Sequence, residues 1–259
     1  MTDWDMAGND RYGNCVFAET GNYKKVISPA TGGAELIIPG ENVIAYARTA
    51  GGLNGYNIED ELRLNQTVGL KDFAGVPHTI GGHGAIDWTI REEVKLAIQL
   101  MKAIKIGIDH GPLMGTGAGE KNGWVLTGVG RRGGIDHCVG IYGYGSAGYL
   151  AQVCKNTLPA SLDPMTFCVL LYTWGTIGIV DWPSFVAITG EAWVRVTDPD
   201  RDDKATWDLE AARDFQEITG IPPEPGPSPG PTPPTPSPPH RRCQRAAVHI
   251  GRALAEFFQ

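Results

Sequence analysis

Between residues 90 and 104, Val94, Ala97, Ile98 and Met101 recur at three- and four-residue spacing and share one face of a helix. Thr89 and Glu92 stand ahead of it at capping-box positions. The same period predicts helices over 40–50, with Val43 and Ala47 inward, and over 57–64, with Ile58 and Leu62 inward. A short helix is expected from Cys15 past Ala18, limited by Gly21. After residue 104 the pattern changes. Apolar runs bounded by turn residues predict strands at 104–108, 124–127, 138–144, 149–153, 167–173 and 192–196. The Gly-rich stretch G111-P-L-M-G-T-G-A-G-E-K-N-G123 links the first two. Helices first and strands second is an α+β order, not an alternating one. One more helix is expected over 204–218, with Trp207, Ala211, Phe215 and Ile218 on one face and Gly220 as its stop.

The pattern breaks at residue 221. Residues 221–240 hold 11 of the chain's 19 prolines and almost nothing to bury, so they form an extended spacer. The expected organisation is a folded domain over 1–220, a proline-rich linker over 221–240 and a tail over 241–259. In the tail, Ala246, Ala247, Ile250, Ala253, Leu254, Phe257 and Phe258 recur at helical spacing, with Arg241, Arg242, Arg245 and Arg252 as the polar part. A helix so short is marginal in water alone. The spacer can hold it roughly 60 Å from the domain. A protein partner for this helix is therefore expected, in preference to folding back or to a membrane surface.

A net charge of −7 over 259 residues argues against a nucleic-acid partner. No apolar run approaches the roughly 18–20 residues of a transmembrane helix. The start, M-T-D-W-D-M-A, lacks the basic and apolar regions of a secretory signal, which implies a cytoplasmic or virion-associated protein. The five cysteines, 15, 138, 154, 168 and 243, include no C-x-x-C pair. Reduced thiols are expected, and a Cys154–Cys168 bridge only on export. No cofactor is implied. G115-T-G-A-G-E-K121 fails the phosphate-loop pattern because Glu120 separates the glycine from the lysine and Asn122 is no hydroxyl. His78 and His83 lack the spacing and companions of a metal site.

Three stretches carry candidate chemistry. G8-N-D-R-Y-G-N-C15 presents a thiol after a Gly/Asn turn; G134-I-D-H-C-V-G-I-Y-G-Y-G145 opens a strand on His137; L171-Y-T-W-G175 closes a strand in a turn. Taken alone, Cys15 is a small buried apolar residue, a disulfide partner or a nucleophile at a helix start. A helix N-terminus and a neighbouring imidazolium both favour a thiolate. Cys138 follows His137, so on a strand it faces away from it and belongs to the core, and Asp136 is badly placed to orient the ring for the same reason.

In this order the three stretches resemble the papain-like cysteine peptidases, most closely a divergent bacterial and phage branch, over residues 8 to about 197. Asn9, Tyr172-Thr173-Trp174-Gly175, Trp182 with Phe185, and Glu191-Ala192-Trp193 are further counterparts. The resemblance implies a helical N-terminal half bearing the nucleophile and a β-rich C-terminal half. It also implies a cysteine peptidase or amidase that cuts peptide or protein substrates through an acyl-enzyme. Cys15 is then the nucleophile and His137 the acid–base. Asn9, six residues before the thiol, supplies an amide to the oxyanion in place of the family's longer Gln. The family's ring-orienting Asn falls at Tyr172. The phenol of Tyr172, the hydroxyl of Thr173 or the backbone then orients the imidazole. Trp174 shields it. The departure at Tyr172 leaves a second reading, a papain-fold binding or assembly module without turnover.

Overall fold

The computed structural model describes residues 5–30, 34–130 and 133–196. The expected helix over 204–218, the linker and the tail lie outside the described residues.

Three helices come first: α1 (Cys15–Ala30), α2 (Gly40–Ala50) and α3 (Ile58–Thr67). A two-stranded hairpin follows, β1 (Leu70–Lys71) with β2 (Pro77–His78). Next come β3 (Gly82–Ala85), α4 (Arg91–Met101), β4 (Ile104–Ile108), a 3-10 turn at Gly111–Leu113 and β5 (Trp124–Leu126). The rest is β6 (His137–Ser146), α5 (Ala147–Cys154), β7 (Phe167–Thr173), β8 (Thr176–Asp181), α6 (Trp182–Ile188) and β9 (Thr189–Val196). Seven strands form one sheet in the order β3-β9-β4-β6-β7-β8-β5, with β5 alone parallel to its neighbour.

The predicted inward faces of α2, α3 and α4 are buried: Val43, Ala47, Ile58, Leu62, Val94, Ala97, Ile98 and Met101. Helix α1 does not stop at Gly21 but continues to Ala30. A Cβ on Gly21 would stand 3.0 Å from Val43 Cγ2, so this glycine lets α2 approach closely. Two other expectations need correcting. Thr89 and Glu92 make no capping box, because Ile90 holds the N-cap position of α4 without a side-chain bond and Thr89 donates to Asp87 Oδ1 instead. Residues 149–153 are not a strand. They lie in α5, capped by Ser146, with Ala147, Leu150 and Ala151 buried at helical spacing. Cys154 and Cys168 are free, in keeping with the expected reduced thiols.

The core between α1 and the sheet contains a charge network. Lys105, on the otherwise apolar β4, is fully buried and donates to the Val16 carbonyl (2.8 Å), Thr20 Oγ1 (2.7 Å) and Glu61 Oε2 (2.5 Å). Glu19 takes a two-point bond from Arg195 of β9 at 2.7 Å each and lies 3.5 Å from the Lys105 ammonium. The Arg195 guanidinium stacks 3.5 Å from the Tyr23 ring centroid. Two cations meet two carboxylates, so the buried charge balances. Every ion bonds to an element other than its own, which ties α1, α3, β4 and β9 together.

Candidate active site

Cys15 is the first residue of α1, with its sulfur beside the helix N-terminus. The backbone amides of Cys138, Val16 and Cys15 lie near the half-buried sulfur. Burial pushes the thiol up, while these amides and the Lys105 charge pull it partly back down. The largest influence thus opposes the thiolate. The expectation that the helix end and a charged ring make this thiol acidic at rest is corrected by its burial.

His137 opens β6, one residue before Cys138, whose amide lies near the sulfur. Its Nε2 lies 2.7 Å from Thr173 Oγ1 at the end of β7. Trp174 stacks on the ring, with centroids 4.9 Å apart and planes 24° from parallel. Trp174 itself has φ +46 and is followed by Gly175 at φ +75, a tight turn that folds the indole back over the imidazole. Tyr172, on the other face of the strand, donates its phenol to the Asp5 carbonyl at 3.1 Å. Thr173, of the alternatives left open by the sequence, is the side chain on the imidazole. Asn9 lies with Cys15, Cys138, Tyr172, Thr173 and Trp174 around one pocket. Cys138 is buried in the core cluster that Cys15 packs against.

Burial lowers His137 to about 4 from an ordinary 6.5, the nearby His110 adds to this, and Asp136 opposes it. At neutral pH the ring is therefore uncharged in the folded state. With Nε2 turned to a hydroxyl, Nδ1 is the nitrogen left to take a proton. A stability effect follows from the same shift. Between pH 6.5 and about 4 the unfolded chain binds the His137 proton and the fold does not, so stability present above pH 6.5 is lost as pH falls. Denaturant titrations at pH 7 and pH 4.5 should show about 2 kcal/mol of acid destabilisation in the parent beyond that of His137→Gln. Equal losses in the two proteins would show that the ring is not the group responsible.

Three residues, His110 at the site and Lys105 and Arg195 in the core behind it, escaped the sequence reading. His110 Nδ1 pairs with Asp136 Oδ2 at 2.8 Å, and its ring meets Trp174 edge-on at 6.0 Å. His110 comes just before the Gly-rich loop and its pairing partner is 26 residues away, so nothing local marked it. Lys105 and Arg195 did carry a signal: each is a lone cation in an apolar strand, a pattern that requires a buried partner.

No protein-family model matches the chain, and no curated protein matches its sequence. Solved structures do. The Carica candamarcensis cysteine protease CMS1MS2, in complex with E-64, matches with a TM-score of 0.54 and 13% identity, covering 76% of this chain and 97% of that one. Digestive procathepsin L 3 of Tenebrio molitor larval midgut matches with a TM-score of 0.53 and 11% identity, over 76% of this chain and 66% of that one. The proform of Amb a 11, a ragweed pollen cysteine protease, matches at 0.51 and 14%, over 72% and 54%. This chain has the papain-like fold.

The chain spans somewhat less than two thirds of the procathepsin and about half of the Amb a 11 proform. Within the papain-like frame, α1 supplies Cys15, and β6 and β7 supply His137 and Thr173. No helix among the described residues is long and apolar enough to cross a membrane. The described residues also contain no group of three or more His, Cys, Asp or Glu side chains able to hold a metal ion. His78 instead pairs with Asp72 at 3.0 Å, and His83 packs against the Trp193 ring at 5.9 Å.

Proposed function

We propose that this chain is a cysteine peptidase or amidase that cleaves peptide bonds through an acyl-enzyme on Cys15. The observation that carries the reading is the joint placement of three groups. The thiol sits at the start of α1, near the amide of the residue after His137, and His137 is held by Thr173 beneath Trp174.

The chemistry follows from a neutral pair. As the substrate carbonyl arrives, His137 takes the thiol proton and Cys15 sulfur attacks the carbonyl carbon. The oxygen of the tetrahedral intermediate gathers charge between the Cys15 backbone N–H and the Asn9 side-chain amide. Collapse expels the amine, which leaves with the proton held by His137, and a thioester remains. Water, deprotonated by the same ring, then attacks the thioester and frees the acid and the thiol. An amine in place of water gives acyl transfer with the same residues. Burial favours the neutral imidazole at rest and also disfavours the imidazolium formed on attack, so the Thr173 contact and the Trp174 stack have to support that cation.

The test is covalent labelling with E-64, the epoxide in complex with the CMS1MS2 neighbour. Stoichiometric labelling at neutral pH, mapped to Cys15 and lost in Cys15→Ser, is the expected result. The second reading, a binding module without turnover, draws on the upward shift of the thiol by burial. Labelling of Cys15 no faster than that of the other cysteines would favour it.

A further inference from the structure

The segment that delivers Asn9 has an unusual backbone. Ala7 has φ +47 and Gly8 has φ +83, two consecutive left-handed residues of which one carries a side chain. An alanine there costs roughly 1 kcal/mol or more relative to an ordinary conformation. The turn persists because side chains from three places hold it. Asn14, fully buried and adjacent to the thiol residue, donates to the Ala7 carbonyl at 2.9 Å. The Asp5 side chain accepts from the Ala7 amide at 3.0 Å. The Asp5 carbonyl accepts from Asn22 Nδ2 of α1 at 2.9 Å and from the Tyr172 phenol of β7 at 3.1 Å. Beyond the turn, Asn9 donates its backbone N–H to the Met6 carbonyl at 2.8 Å, so fixing Asp5 to Ala7 fixes Asn9.

The phenol does more than close one bond. It meets the Asp5 carbonyl together with Asn22, so the N-terminal segment, α1 and β7 join at one oxygen. Tyr172 is only 4% exposed, and burial holds its phenol protonated, so it remains a donor to Asp5 across the working pH range. A short amide at this strand position would not extend as a phenol does. The departure of Tyr172 from the family pattern thus coincides with a second departure, the shorter Asn at position 9, which needs its backbone set more closely.

We propose that Tyr172, with Asn22, is a positioning residue for the oxyanion donor: the two side chains clamp the Asp5 carbonyl and so aim Asn9 at the intermediate formed on Cys15. The proposal rests on the peptidase reading. It separates the roles of neighbouring strand residues, with Thr173 serving the ring from one face and Tyr172 serving the oxyanion segment from the other.

The test uses the full chain and two probes. Hydrolysis of the 4-nitrophenyl ester of N-benzyloxycarbonylglycine passes through an oxyanion. Reaction with 2,2'-dipyridyl disulfide, in which the thiolate displaces thiopyridone to form a mixed disulfide, does not. Asn9→Ala should lower ester kcat about 100-fold. Tyr172→Phe should lower it about 10-fold with KM unchanged, and should leave the disulfide reaction within about twofold of the parent. Because the phenol acts through Asn9, adding Tyr172→Phe to Asn9→Ala should cost less than about twofold more. Asn22→Leu, which keeps the phenol, should repeat the pattern and decides the matter if Tyr172→Phe does not fold. An unchanged kcat in Tyr172→Phe overturns the clamp and leaves the peptidase reading standing. So do additive losses in the double variant, or an equal fall with both probes, which would place the phenol on the thiol–imidazole pair. Absence of ester turnover in the parent, with Cys15 still reacting with the disulfide, overturns both.

Discussion

Replacing His137 by alanine should lower kcat by about 10⁴-fold while the protein stays folded. The size follows from the role proposed for the ring: taking the proton from a thiol that burial holds neutral, and returning it to a leaving amine that departs poorly without one. No other described residue combines a titrating nitrogen with this position: His110 is 40% exposed and already paired with Asp136. Thr173→Val removes only the hydroxyl at 2.7 Å from Nε2 and should cost about 10- to 100-fold, through loss of the ring's orientation and tautomer. Steady-state kinetics on one peptide substrate checks both. Turnover in His137→Ala within tenfold of the parent would sink the assignment of the acid–base, and losses of the same size in both variants would make Thr173 inseparable from it.

The largest effect on stability is expected at Lys105. Lys105→Met leaves Glu61 without its cation and weakens the hold on Glu19, both buried carboxylates. A loss of about 3–5 kcal/mol is expected from stranding buried charge, a large part of the roughly 5–15 kcal/mol that typically holds a domain together. Adding Glu61→Gln to Lys105→Met should recover part of it, because the stranded carboxylate is then gone. Denaturant melts of the three proteins measure this. A single-variant loss under about 1 kcal/mol, or a double variant worse than the single, would contradict the account.

Much of this architecture was legible in the residues, for reasons that differ by element. Helices α2, α3 and α4 each bury a stripe at helical spacing, β7 is an apolar run and β4 is one broken only by Lys105; in all of these the pattern itself identifies the element. Residues 149–153 misled because Tyr and Val invite a strand, although Ala147, Leu150 and Ala151 already repeat at helical spacing. Helix α6 went unread despite a readable start: Asp181 accepts from the Ser184 amide at 2.8 Å, and Pro183 lies in the first turn. At the site, motif order alone indicated Cys15, His137 and the Thr173–Trp174 turn. The choice between Thr173 and Tyr172 was beyond the sequence. It depends on which face of β7 meets the ring, and strand alternation assigns opposite faces without saying which is which. The ion network was hidden for a related reason: Glu19, Glu61, Lys105 and Arg195 lie far apart along the chain and meet only after the sheet has formed.

That network also decides how the protein fails when heated. Lys105 bonds the Val16 carbonyl and the Thr20 hydroxyl, and Arg195 holds Glu19, so the first turns of α1 are fastened to the middle of the sheet. A helix end usually frays well before its domain melts. Here the turn bearing the thiol can open only by breaking ion pairs that the whole sheet supports. Thermal inactivation and global unfolding should therefore be a single event, and residual activity after a heat pulse becomes a direct count of the molecules still folded.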